Sequence, residues 1–174
     1  MTDGSNLRVK RQRKFSNMER YLVVAEKCEL KLGYALSQMT RNVIVTGPGF
    51  VNVIQALKDI SKDADILNVG YCGGHGFEVG DCVWVRTARQ LHPVAKFEDK
   101  VFKLSLPEYF CRPKREADCF TATDFIEKTD GLIAPCVVDM ELAAICALGF
   151  SKVTAIKYVS DNLNYNDYKE TITA

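Results

Sequence analysis

Apolar residues in this chain fall into short runs, and the spacing inside the runs switches between two periods. Tyr21-Leu22-Val23-Val24-Ala25 is a continuous apolar run of strand length, and so is Asn42-Val43-Ile44-Val45-Thr46, which Gly47-Pro48-Gly49 stops. After Gly49 the pattern changes: Phe50, Val53, Ile54, Leu57 and Ile60 recur at helical intervals, predicting an amphipathic helix over 50–61. Residues 65–70 return to an apolar strand, expected to end in a Gly-rich turn, Tyr71-Cys72-Gly73-Gly74-His75-Gly76. Gly80-Asp81-Cys82-Val83-Trp84-Val85-Arg86 alternates as a strand that begins at a turn. Residues 88–118 carry the weakest pattern, broken by Pro93, Pro107 and Pro113, with 101–106 a candidate edge strand. An apolar strand then runs into an Ala-rich helix over 139–148, with Asp139 as its N-cap and Gly149 just past its end. The last strand, Val153 to Val159, runs out at Ser160-Asp161-Asn162.

Strands alternating with helices predict one α/β domain, a three-layer α/β/α sandwich around a mixed sheet. Ligands of such sheets bind at the carboxyl ends of the strands. The segment Val138-Asp139-Met140-Glu141 and the pair Ser160-Asp161 both sit at strand ends. Consecutive strands therefore bring carboxylates from both segments to one sheet edge, a placement suited to acid–base chemistry on one small ligand.

Charge and cysteine usage narrow the context. The net charge is +1, so no global field points to nucleic acid. Six of the 23 basic residues lie in residues 1–20, which read as a flexible basic arm ahead of a single domain over 21–174. The seven cysteines are odd in number and lack a CxxC spacing, and several lie inside apolar runs. They read as reduced, buried thiols of a cytoplasmic protein rather than as a disulfide framework. Only His75 and His92 could join them around a metal, and neither has ligand spacing, so no metal is expected. No apolar run approaches the ~20 residues that span a bilayer, and residues 1–20 lack a signal-peptide core, so neither a membrane nor an export route is expected.

Four segments, in order, carry a resemblance: Gly47-Pro48-Gly49-Phe50-Val51-Asn52; Asn68-Val69-Gly70-Tyr71-Cys72-Gly73-Gly74 with Val79-Gly80-Asp81; Thr121-Ala122-Thr123-Asp124-Phe125-Ile126; and Val138-Asp139-Met140-Glu141 with Ser160-Asp161-Asn162. Together the chain resembles the purine nucleoside phosphorylase and nucleosidase superfamily, most closely its methylthioadenosine/adenosylhomocysteine nucleosidase branch. The resemblance implies cleavage of the N-glycosidic bond of a purine nucleoside, with no cofactor. It implies that Glu141 holds the ribose hydroxyls, that Met140 and Asp139 flank it, and that Asp161 protonates the departing base. Phe125 then belongs to the base pocket, Ser160 to the ribose and catalytic segments with Asp161, and Cys72 and Gly73 line the pocket.

The attacking group divides that superfamily. Its phosphorylases use an Arg and a Ser at the positions held here by Asn68 and Tyr71, which supply neither charge nor a bidentate fork for phosphate. Water is then the expected attacker, with Glu29 as its base and Glu26 in reserve. The alternatives are a phosphorylase, with phosphate as co-substrate, and a nucleoside-binding member without turnover. The resemblance also implies a site closed by a neighbouring subunit. Trp84, Phe97, Phe102, Leu104, Leu106, Tyr109 and Phe110 are the apolar candidates for that homodimer surface.

Overall fold

A computed structural model describes residues 18–37, 42–92, 100–106 and 113–174. Most of the basic arm therefore lies outside the described residues, as do Phe97, Tyr109, Phe110 and Cys111. The strands are β1 (Arg20–Val24), β2 (Val43–Val45), β3 (Asp65–His75), β4 (Cys82–Gln90), β5 (Phe102–Lys103), β6 (Arg115–Thr121), β7 (Cys136–Asp139) and β8 (Lys152–Asp161). The helices are α1 (Leu30–Ser37), α2 (Phe50–Leu57), α3 (Leu142–Ala147) and α4 (Tyr165–Thr173), with a 3-10 turn at Lys27–Glu29. No described helix is long and apolar enough to cross a membrane.

All eight strands join one mixed sheet. β3 pairs in parallel with β1 (Leu22 opposite Leu67) and with β8 (Ile66 opposite Val153), and its far end pairs antiparallel with β7 (Gly73 opposite Val138). From β7 the pairing passes in parallel to β6 and then β4, and β4 returns antiparallel to β8. Strands β3, β7, β6, β4 and β8 thus close a hydrogen-bonded circuit, which corrects the open sheet on which the sandwich expectation rested. β2 and β5 remain at the edges, so 101–106 does supply an edge strand.

The two sides of β1 show how the core divides. Leu22 and Val24 pack with Leu67, Val69 and Ile156 against Leu30, Leu32 and Leu36 of α1. Val23 points the other way, into the cluster that holds Val53 and Leu57 of α2 and Leu142 and Ile145 of α3. Period-two alternation in the strand and helical spacing in α2 therefore meet in one core, and each fully buried aliphatic contributes about 1.5–3 kcal/mol.

Three sequence expectations are corrected. The Gly-rich segment is strand rather than turn, because β3 continues through His75. Its glycines serve close packing: a Cβ at Gly70 would lie 2.8 Å from Glu29 Oε1, and one at Gly73 would lie 2.6 Å from Leu163. The turn begins only at Gly76, whose φ of 81° suits glycine. Trp84, offered as interface surface, is buried on β4 between two paired strands. Asp139 ends β7, and Glu141 takes the position that opens α3.

Candidate active site

Glu29 ends the 3-10 turn after β1, and the backbone fixes its carboxylate. Oε2 accepts from the Ala25 and Glu26 amides at 2.8 and 2.9 Å, and Oε1 accepts from the Tyr71 amide at 2.8 Å. The missing side chain at Gly70 is what allows β3 to come this close. Three of about four lone-pair sites are thus occupied, which leaves one for a ligand. Burial raises the Glu29 pKa despite these amides and despite Lys157. The result is an oriented, more basic carboxylate.

The second acid group forms where β7 passes into α3. Asp139 is satisfied from inside the protein: Oδ1 accepts from the Thr121 hydroxyl at 2.7 Å and Oδ2 from the Leu142 amide at 2.9 Å. The Lys157 ammonium stands 2.8 Å from the same Oδ2, with both side chains almost wholly buried. Burial alone would lower the Lys157 pKa, but Asp139 and Glu141 outweigh it and hold the lysine charged. Glu141 has more capacity to spare. Its Oε1 accepts from the Gly49 amide at 3.0 Å, at the turn that opens α2, and its Oε2 from the Met140 amide at 3.3 Å. Burial, with Asp139 beside it, pushes the Glu141 pKa up to about 7.

The third carboxylate ends β8. Asp161 Oδ1 accepts from the Leu163 and Asn164 amides at 2.8 and 3.2 Å. Ser160 Oγ lies 2.7 Å from Asp161 Oδ2 and 3.2 Å from the Cys72 carbonyl oxygen. The serine has one proton for two acceptors. Its hydroxyl donates to Asp161 Oδ2 at the shorter distance, and the Cys72 carbonyl is the longer, weaker acceptor. Burial raises the Asp161 pKa, against the serine and the amides.

All four of these acids line one cavity of about 240 Å³, near the lower end for small-molecule sites. Every residue proposed from sequence lines it: Glu29, Cys72, Gly73, Phe125, Asp139, Met140, Glu141, Ser160 and Asp161, with Glu26 at the same wall. Glu26 and Glu29 do not compete for one position, since Glu29 alone holds the three backbone amides. Burial pushes the Cys72 thiol far up, so it is a packing group rather than a nucleophile. Sequence reasoning missed Lys157, hidden as a lone charged residue in the apolar run 153–159. It also missed Tyr165 and Tyr168 of α4, whose rings stand 5.2 and 5.6 Å from that of Phe125 and complete an aromatic wall. The Tyr165-x-x-Tyr168 spacing on a short helix was the available signal.

Six lining residues are acidic, and among the described residues no Lys, Arg or His lines the cavity. No described group of three or more His, Cys, Asp or Glu could hold a metal ion.

No protein-family model matches the chain, and no curated protein matches it. Solved structures do. A Streptococcus pneumoniae MTA/SAH nucleosidase in complex with 8-aminoadenine is 20% identical, with 89% of this chain and 92% of that chain covered and a TM-score of 0.70. A Chlamydia trachomatis MTAN bound to MTA is 19% identical over 88% and 92% of the two chains, with a TM-score of 0.63. A futalosine hydrolase mutant of Helicobacter pylori is 12% identical over 90% of each chain, with a TM-score of 0.67. This chain shares their fold. At these identities the likeness carries the architecture, and the chemistry must be argued from the cavity itself.

Proposed function

We propose that the protein hydrolyses the N-glycosidic bond of a purine nucleoside, releasing the base and a free pentose. The observation that carries this reading is the convergence of Glu29, Glu141 and Asp161 on one cavity, each in a different hydrogen-bonding state. Glycosidic cleavage develops an oxocarbenium-like sugar, by analogy with glycoside hydrolysis. Glu141, with free acceptor capacity, pairs with the vicinal ribose hydroxyls, and Met140 packs on the sugar. Asp161, whose pKa burial raises, donates to the purine as the bond breaks. Phe125 stacks on the base and Ser160 relays to Asp161. Glu29, fixed and basic, takes the proton of the attacking water. Asp139 is a positioning residue, since its oxygens are engaged by Thr121, Leu142 and Lys157. No cofactor enters the scheme.

The lining also favours water over phosphate. A phosphate dianion needs cationic donors, and the described walls present carboxylates instead. This extends the sequence argument from Asn68 and Tyr71. Asn68 is buried in β3 and donates to the Val23 carbonyl at 3.1 Å, away from the cavity. The solved nucleosidases with bound MTA and 8-aminoadenine support the same ligand class. We read residues 21–174 as one catalytic domain in a cytoplasmic homodimer. Exposed Val51 and Ile54 on α2, with Leu106, offer apolar surface for that association.

Asp161→Asn tests the acid. The substitution keeps the shape and removes the proton, so turnover of purine nucleosides should fall by about 10²–10⁴ while nucleoside binding persists. Wild-type turnover in this variant would refute the assignment.

A further inference from the structure

Helix α3 starts without a cap from its own N-terminal residue. Glu141 holds the N-cap position, where a side-chain oxygen ordinarily accepts from the second or third helical amide, yet its carboxylate makes no such bond. Its oxygens go instead to the Gly49 and Met140 amides, and the side chain lines the cavity. Leu142 and Ala143, the first two helical residues, are buried, so their amides still need partners. The Leu142 amide donates to Asp139 Oδ2 at 2.9 Å, and the Ala143 amide donates to the Thr121 hydroxyl at 2.9 Å. The cap comes from the ends of two neighbouring strands, β7 and β6, where Thr121 and Asp139 are register partners.

Thr121 is itself fully buried and outside the cavity lining. Its oxygen accepts from Ala143, and its one proton goes to Asp139 Oδ1 at 2.7 Å. The hydroxyl thus ties β6 to both β7 and α3 at the point where Glu141 turns into the cavity. Valine has nearly the same shape and no hydroxyl. In its place the Ala143 amide would be stranded in the interior, and the acceptor at the N-cap position is the Glu141 carboxylate. A Glu141 that turns back to cap its own helix leaves the vicinal hydroxyls of a ribose. Serine keeps the hydroxyl and both of its bonds.

We propose that Thr121 is a positioning residue for Glu141: by capping α3 in its stead, the Thr121 hydroxyl leaves the Glu141 carboxylate for the ribose. The proposal rests on the nucleosidase reading and deepens it. The test compares adenosine with 2′-deoxyadenosine on the full chain, in wild type, Thr121→Val and Thr121→Ser. Binding is measured by calorimetry and base release by reversed-phase chromatography. Wild type should favour adenosine by about tenfold or more in affinity and in kcat/KM, the worth of hydrogen bonds to a charged group. Thr121→Val should bring that ratio to within about threefold, chiefly through adenosine, and Thr121→Ser should restore it. A melting curve shows which variants are folded. Should the valine variant not fold, Thr121→Cys, whose thiol is a weak donor and acceptor, should give a ratio between those of serine and unity. A merely structural role would weaken both nucleosides alike and leave the ratio in place. That result, or a wild type with no preference for the ribose, would overturn the proposal. If no base is released but the affinity ratio depends on Thr121 as stated, hydrolysis fails while the positioning role stands. If base is released and the ratio ignores Thr121, the positioning role fails while hydrolysis stands. If no nucleoside binds, both fail.

Discussion

The buried Lys157–Asp139 pair makes the sharpest stability prediction. The two side chains are 1% and 0% exposed, and their charged atoms are 2.8 Å apart. Lys157→Met keeps length and removes the charge. Asp139 would then be left as a buried carboxylate whose remaining partners are neutral, with Glu141 nearby. Breaking a buried pair by removing one partner costs about 3–5 kcal/mol. With a urea slope of roughly 2 kcal/mol per molar, the unfolding midpoint at pH 7 should fall by about 1.5–2.5 M. Asp139→Asn alone should be comparably damaging, because it strands the ammonium. The double variant Lys157→Met/Asp139→Asn leaves no unpaired charge, so it should be more stable than the two single losses add up to, with a coupling of about 1–3 kcal/mol. Burial suits a neutral pair almost as well as an ionic one. Additive single losses, or a Lys157→Met loss below about 1 kcal/mol, would refute the claim that these charges compensate each other in the core.

Further predictions concern the other acids and the glycine that makes room for one of them. Glu141 has its pKa raised from 4.5 to about 7 in the folded protein. Its contribution to stability is therefore fully present below about pH 4.5 and lost as pH rises through about 7, a change of at most roughly 3 kcal/mol. Glu141→Gln should remove that decline, so the variant gains on wild type between pH 5 and 8 in denaturant titrations, and a parallel pH dependence would contradict the assignment. Gly70→Ala places a Cβ 2.8 Å from Glu29 Oε1, so the carboxylate must move. Nucleoside cleavage should drop by about 10–100-fold with the fold retained by circular dichroism, and unchanged turnover would show that Glu29 need not be held there. Glu141→Gln should also slow ribonucleosides more than 2′-deoxynucleosides, in a direct comparison of kcat/KM.

Much of this was legible along the chain, for identifiable reasons. β1, β2, α2 and β8 announce themselves because one period persists across each, and the acids at 139, 141 and 161 fall where such periods end. The Gly-rich segment misled because glycine usually marks a turn. Here Gly70 and Gly73 instead mark places where another side chain occupies the space of a Cβ, which is a tertiary fact. β6 was missed because Arg115, Glu116 and Asp118 break its apolar pattern, and its charges are matched across the sheet: Arg86 on β4 reaches Asp118 at 2.8 Å and Glu116 at 3.2 Å. Closure of the strand circuit rests on the β4–β8 and β3–β7 pairings, which local periodicity does not encode. Lys157 looked like any strand lysine until the strand's neighbours on both sides were known.

Product analysis with and without phosphate tests the central claim most directly. Purified protein is incubated with adenosine in phosphate-free buffer and again in millimolar phosphate, and both products are identified by chromatography and mass spectrometry. The carboxylate-lined cavity, with Glu29 poised for water and Asp161 for the base, predicts adenine and free ribose at the same rate in both buffers. Ribose 1-phosphate that appears only with phosphate, or no adenine in either buffer, would contradict it.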